Sequence, residues 1–171
     1  MMKYCPECGH MLVLKLLEAE QKEVPYCQNC QSYRFEPFNT AISLVVLNPD
    51  QTKVLLIQQY GKAQNWLVAG YINKGESAEE AAARELEEEV GLHLQTLSFQ
   101  KTKYWPKTNT LLINYLAVVD SMDVTPNQEV DRFAWFDLKE AYDQVAKGGL
   151  AEEFYKYFYE RKISHVQNDR L

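Results

Sequence analysis

Three glutamates, Glu85, Glu88 and Glu89, stand at positions i, i+3 and i+4 of one segment. On a helix that spacing gathers their carboxylates on one side of a single turn. Like charges so placed destabilise a helix by about 0.2–0.5 kcal/mol per pair, so the arrangement asks for a cationic partner. Hard divalent ions that take oxygen ligands, Mg²⁺ or Mn²⁺, would turn the repulsion into binding. Arg84, four residues before Glu88, can pair with it and fix its direction. The charge of the whole chain is concentrated here. Between Glu76 and Glu89, seven glutamates face one arginine, a local −6 that equals the net charge of all 171 residues. The ordinary alternative for a Glu-rich helix is a solvated face.

The cysteines form a second constellation. Cys5-Pro6-Glu7-Cys8 and Cys27-Gln28-Asn29-Cys30 are two Cys-x-x-Cys knuckles separated by 18 residues, the spacing of a four-thiolate Zn²⁺ site. Four thiolates leave no position for a substrate water, so such a zinc is structural. Gly9 supplies a permissive backbone after the first knuckle, and Gln31 occupies the equivalent place after the second. Two disulfides are the competing arrangement. Met1-Met2-Lys3-Tyr4-Cys5 leads into no apolar secretory segment, which argues against an oxidising compartment and points to the cytoplasm. Residues 1–36 are too few to build a core unaided, and removal of the metal should unfold them.

The elements that must hold these groups follow from patterning. With 46% apolar and 25% charged residues the chain reads as folded, and no apolar run approaches the ~18 residues of a membrane span. Ala41–Leu47 and Lys53–Gln59 read as a hairpin across Asn48-Pro49-Asp50-Gln51, and Trp66–Ile72 as a further strand. Ser77-Ala78-Glu79-Glu80 is a capping box that opens a helix over 78–90, which Gly91 closes. Leu86 and Val90, with Ala83, form its apolar stripe. Gly70 and Gly75 make a bent approach that would let backbone come close to a bound anion. Leu94–Lys101 and Thr110–Val119 are extended, and Phe133–Phe136 is a short last strand. Asp137-Leu138-Lys139-Glu140 is a second capping box, before two helices broken at Gly148-Gly149. Leu150, Phe154 and Phe158 make the stripe of the final helix, and Trp66 and Trp135 fall in strand patterns as core residues. The class is α/β.

From Gly70 to Leu92 the residues G-Y-I-N-K-G-E-S-A-E-E-A-A-A-R-E-L-E-E-E-V-G-L match every fixed position of the Nudix box. The chain therefore resembles the Nudix family. The resemblance implies an α/β/α sandwich with a mixed sheet over 37–171, preceded by a small four-cysteine zinc ribbon over 1–36. It also implies metal-dependent hydrolysis of the pyrophosphate bond in a small-molecule nucleoside diphosphate linked to another moiety. In that frame Glu85, Glu88, Glu89 and Glu129 are the Mg²⁺ or Mn²⁺ ligands. Glu129 precedes Phe136 by seven residues, the family's spacing between a metal-binding glutamate and an aromatic. Arg84 and Glu88 belong to the catalytic group, and either Glu88 or Glu129 could take the proton of the attacking water.

The ribbon ahead of the box, with Ala69-Gly70-Tyr71 at its entry, is similar to the NADH pyrophosphatase branch of the family. That branch carries Ser-Gln-Pro-Trp-Pro-Phe-Pro-x-Ser after the box, where this chain has Thr102-Lys103-Tyr104-Trp105-Pro106-Lys107-Thr108-Asn109-Thr110. Trp105 and Pro106 are retained, and Thr102 and Thr110 replace hydroxyl with hydroxyl. Tyr104 and Trp105 are candidates to stack on a base, and Lys103 or Lys107 to meet a phosphate or ribose. The resemblance implies NADH or NAD as substrate, giving NMN(H) and AMP, or a related ADP-X compound, and a homodimer. Two alternatives are removal of an NAD-type cap from RNA and a non-catalytic nucleotide-sensing module. Against strong RNA affinity, the ribbon sets Lys3, Lys15, Lys22 and Arg34 against five glutamates, Glu7, Glu18, Glu20, Glu23 and Glu36, with no basic stripe.

Overall fold

The computed structural model describes residues 2–168. The chain divides into two compact units, Met1–Phe38 and Asn39–Leu171. The first holds a three-stranded antiparallel sheet in the order β1 (Val13–Leu17), β2 (Lys22–Cys27), β3 (Ser32–Tyr33). Its buried apolar residues are Cys5, Val24 and Cys27, while Met11, Leu14 and Leu16 are exposed. So small a core cannot offset the entropy of ordering the segment, which leaves the cysteines as its organising centre.

The second unit is built on a six-stranded mixed sheet. Its strands are β4 (Asn39–Leu47), β5 (Lys53–Gln59), β6 (Val68–Tyr71), β7 (Leu94–Trp105), β8 (Thr110–Val119) and β9 (Val130–Asp137). The order is β7-β8-β4-β5-β9, with β6 on β4. β4 and β8 run parallel in register from Asn39↔Thr110 to Leu47↔Val118, and the other pairs are antiparallel. Helix α1 (Ala78–Val90) covers one face, and α2 (Leu138–Gln144) and α3 (Leu150–Asn168) cover the other. β4 feeds both layers. Ile42, Leu44 and Val46 pack with Ala82, Leu86 and Val90 of α1, and Val45 and Leu47 pack with Phe154, Tyr155 and Phe158 of α3. Burial on both faces explains why this strand is a continuous apolar run and not an alternating one. The expected α/β/α sandwich is the fold observed.

The hairpin of β4 and β5 forms, but their pairing is short, limited to Val46↔Leu55 and Leu47↔Val54. Further along β4, β6 takes over through Ala41↔Tyr71 to Leu44↔Val68. The sheet therefore forks between β5 and β6, bridged by mutual backbone hydrogen bonds of Ile57 and Trp66 at 3.0 and 2.7 Å. Two strands outrun their expected limits because their partners continue. β7 extends past Lys101 to Trp105 opposite Thr110, and β9 spans Val130–Asp137 opposite β5.

Helix α1 has the expected bounds. The Glu80 N–H donates to Ser77 Oγ at 3.1 Å, and the Ser77 N–H donates to Glu80 Oε2 at 2.7 Å, a complete capping box. Gly91 closes the helix in the left-handed conformation, φ 66°, donating its N–H to Glu87 O. The buried stripe differs at one position from the one expected. Ala83 is exposed and Ala81 and Ala82 are buried, because Ala82 stands four residues from Leu86 and eight from Val90. Full burial of Leu86 contributes roughly 1.5–3 kcal/mol. The second capping box does not form. Asp137 is the N-cap of α2 but makes no side-chain cap bond, and its carboxylate pairs with Lys53 at 3.2 Å instead.

A Cβ on Gly91 would collide with the Thr125 side chain, and its backbone is costly for any L side chain, about 1–2 kcal/mol. Gly91→Ala should therefore lower stability by more than the about 1 kcal/mol expected of Ser77→Ala. Urea midpoints of the two variants, compared with the parent chain, check this order.

Candidate active site

Arg84 sits at the centre of the acidic cluster. Its Nε donates to Glu76 Oε1 at 2.7 Å and its Nη2 to Glu76 Oε2 at 3.0 Å, a bidentate pair. Nη1 donates to Glu85 Oε1 at 2.7 Å and to Glu88 Oε2 at 3.0 Å, and Nη2 also reaches the Tyr71 carbonyl at 3.0 Å. The Arg84 guanidinium, helped by the Asn73 N–H, holds the Glu76 carboxyl down at about 2. Arg84 thus anchors the loop before the helix to two carboxylates on it. Glu79 turns elsewhere and accepts from the Tyr115 hydroxyl at 2.8 Å. Glu76 and Glu85 are thereby paired and shielded, while Glu79, Glu80, Glu87 and Glu88 remain exposed to solvent.

Gly70 has a different use from the one expected. Its backbone lies outside the left-handed region, and the space a Cβ would fill is taken by the Glu85 carboxylate. The close approach accommodates the protein's own acid. Gly75, at φ 88°, serves the turn into the helix.

Glu89 is the one member of the triad that is buried, at 4% exposure. Oε1 accepts from Gln59 Nε2 at 3.0 Å. Oε2 is buried and accepts no hydrogen bond within the described residues. Burial pushes the Glu89 carboxyl up to about 7 against the pull of Gln59, and the nearby Glu85, Glu129 and Glu88 carboxylates push the same way.

Glu129 reaches this place through the end of the helix. The last carbonyls of α1 lack intrahelical donors. The Thr125 N–H donates to Val90 O at 2.9 Å and the Asn127 N–H donates to Glu89 O at 3.0 Å. Asn127 Oδ1 then accepts from the Glu129 N–H at 2.9 Å, and the Tyr60 hydroxyl donates to Glu129 Oε2 at 2.8 Å. Gln59, Tyr60 and Asn127 are site residues that motif reading missed. The one signal for the first two was Gly61, a turn residue at a strand end.

Glu85, Glu88, Glu89 and Glu129 all line a cleft of about 630 Å³, with Gln59, Tyr60 and Tyr71. Trp105, Thr108, Thr110, Leu112 and Leu150 line it as well. Strand alternation separates the predicted substrate contacts. Tyr104 points to the other face of β7 from Trp105, with its hydroxyl on Asn109 Oδ1 at 2.6 Å, and does not line the cleft. Lys103 shares the Trp105 face and pairs with Glu153 at 3.1 Å, and Lys107 Nζ lies 5.3 Å from the Trp105 ring centroid. Trp66 and Trp135 are half-buried and pack against the two core layers.

The residues fit divalent cations on a physical ground. Glu89 Oε2 is a hard, buried oxygen with no donor, beside three further carboxylates on one cleft. In the first unit the four cysteine sulfurs lie within 4.8 Å of one another and none is in a disulfide, a four-thiolate cluster able to hold a metal ion. Arg34 Nε donates to Cys5 Sγ at 3.2 Å. After the second knuckle, Gln31 takes the left-handed backbone (φ 53°) that Gly9 takes after the first (φ 72°).

The NUDIX domain family profile matches residues 37–160. The NAD-capped RNA hydrolase NUDT12 of Pongo abelii is 29% identical over 155 residues, which cover 85% of this chain and 33% of that protein. The NAD-capped RNA hydrolase NudC of Vibrio parahaemolyticus is 24% identical over 172 residues, 98% of this chain and 62% of that one. The chain thus spans from a third to just under two thirds of the length of these relatives. Among solved structures, a NUDIX hydrolase from Nitrosomonas europaea superposes with a TM-score of 0.67 at 20% identity, covering 95% of this chain and 93% of that one. The NUDIX domain of Shewanella oneidensis NrtR, complexed with ADP ribose, gives 0.62 at 19% identity, covering 80% and 93%. At these identities the structural likeness is one of fold.

The raised Glu89 carboxyl has a consequence for stability. The folded chain holds this proton more tightly than the unfolded chain, so stability present below pH 4.5 is lost as pH rises toward 7. Without divalent ions, Glu89→Gln should be more stable than the parent at pH 8, by at most roughly 3 kcal/mol, with the gain vanishing near pH 4.5. Urea denaturation at the two pH values measures it, and a pH-independent difference would contradict the assignment.

Proposed function

The chain belongs to the Nudix family, and on that premise we propose that it hydrolyses the pyrophosphate bond of a dinucleotide such as NADH or NAD, giving NMN(H) and AMP. The observation that carries this reading is the bare, buried Oε2 of Glu89 among three more carboxylates on a single cleft that Trp105 also lines. Glu85, Glu88, Glu89 and Glu129 are the residues we assign to hold Mg²⁺ or Mn²⁺. Ions held there would neutralise diphosphate oxygens and lower the pKa of a bound water so that hydroxide is available near neutral pH. Arg84 positions Glu85 and Glu88. Either Glu88, whose side chain is 59% exposed, or Glu129 would take the proton of the attacking water in place of a ligand role. Trp105 offers a ring for a base; Lys103 and Lys107 do not line the cleft and would have to leave Glu153 and the Trp105 ring to meet a phosphate or ribose. Tyr104, facing away, has no part in this assignment.

The naming of the relatives as NAD-capped RNA hydrolases favours a second substrate, the NAD cap of an RNA 5′ end, which presents the same pyrophosphate bond. A purely sensing role has less support, because the box keeps every fixed position. The cysteine cluster we assign to structural Zn²⁺ in a ribbon over residues 1–36, ahead of a catalytic domain over 37–171. Among the described residues no helix is long and apolar enough to cross a membrane. A cytoplasmic homodimer remains the arrangement we propose.

With Mg²⁺ or Mn²⁺ the purified chain should split NADH, NAD⁺ or ADP-ribose into two monophosphates, identified by mass. Glu88→Gln and Glu89→Gln should each lower kcat by about 100-fold or more while staying folded, and Trp105→Ala should raise KM about 10-fold. Full activity of the folded glutamate variants would refute the metal assignment. Elemental analysis should find one zinc for the four cysteines, and its removal should abolish the circular dichroism and exchange protection of the first unit. A metal-free ribbon that kept both would refute the zinc reading.

A further inference from the structure

We propose that Gln59, Tyr60 and Gly61 form a positioning clamp, which sets the separation of the carboxylates on α1 from those at the start of β9 and so tunes cation affinity in the cleft. The inference deepens the metal reading above and rests on it. Three consecutive residues each hold a different carboxylate. Gln59 Nε2 donates to Glu89 Oε1 at 3.0 Å, the Tyr60 hydroxyl to Glu129 Oε2 at 2.8 Å, and the Gly61 N–H to Asp131 Oδ2 at 2.6 Å. Glu89 belongs to α1, and Glu129 and Asp131 to the approach and start of β9.

A regular strand could not do this, because successive side chains point to opposite faces. β5 ends at Gln59, and where Gln58 opposes Arg132 and Gln59 opposes Val130 the partner strand β9 carries a bulge whose extra residue is Asp131. The backbone then passes through two successive left-handed residues, Tyr60 at φ 56° and Gly61 at φ 69°. For tyrosine that conformation costs about 1–2 kcal/mol. Burial does not offset it, since Tyr60 is 68% exposed. An exposed tyrosine in an unfavourable backbone, with its hydroxyl on a cleft carboxylate, is explained by what it holds. Glu129 is gripped from two sides, its backbone by Asn127 and its side chain by Tyr60.

Binding of Mn²⁺ to the zinc-loaded full chain, followed by loss of the free-ion electron spin resonance signal, tests the clamp without any substrate. Tyr60→Phe removes only the hydroxyl and should weaken Mn²⁺ binding about 3- to 10-fold. In a Glu129→Gln background the same change should add nothing, because the hydroxyl acts through that carboxylate. Tyr60→Gly removes the hydroxyl and relieves the backbone, so thermal stability should hold or rise while Mn²⁺ affinity falls. A tyrosine with a merely structural role would move both down together. Wild-type Mn²⁺ affinity in Tyr60→Phe, or an undiminished loss in the Glu129→Gln background, overturns the clamp. Failure of the parent chain to split any diphosphate would overturn the proposed reaction instead, and the binding measurements would still decide the clamp.

Discussion

One guanidinium holds the candidate site together. Seven glutamates within 14 residues would repel one another along α1 and the loop before it, and Arg84 binds three of them at once. Its position is side-chain 25% exposed, where screening is partial and charge-assisted hydrogen bonds keep much of their strength. The bidentate grip on Glu76 fixes the guanidinium plane, and the fixed plane aims Glu85 and Glu88. Glu89 is left outside this compensation, buried and with one bare oxygen. The asymmetry is chemically useful. On the metal assignment proposed above, the acid left without compensation is the one free to meet a cation.

A second organising effect is the unmet demand of the helix C-terminus. Val90 and Glu89 have carbonyls that no residue of α1 can reach, and the Thr125 and Asn127 amides supply the donors. A requirement of the backbone thereby docks a distant loop and delivers Glu129, 40 positions beyond Glu89, onto the same cleft. Gly91 permits this close contact, since its missing side chain leaves room for Thr125.

What the amino-acid order disclosed, and what it concealed, follows from the range of the interactions involved. The bounds of α1 were readable to the residue because its capping box and terminal glycine are local, while its apolar stripe was off at Ala83. The cysteine quartet was readable because its spacing is itself the signal. The Asp137 cap failed because Lys53, across the sheet, competes for the carboxylate. β7 and β9 run longer than their own patterns indicate because their partners β8 and β5 continue to offer hydrogen bonds. Gln59 and Tyr60 were invisible because the end of β5 and the left-handed backbone of Tyr60, neither marked in residue types, decide where they point. Tyr104 was misplaced for the simpler reason that two adjacent strand residues cannot share a face.

The space at Gly70 separates two properties that usually move together. Its backbone is ordinary for a strand, and the atoms crowding it are the carboxylate end of the Glu85 side chain. An alanine there could be accommodated by swinging that end aside, at small expense to folding. The displaced carboxylate would, however, abandon the Arg84 fork and the cleft. Position 70 is therefore a place where, if the cleft works as proposed, a substitution could spare maturation of the polypeptide and still silence its chemistry.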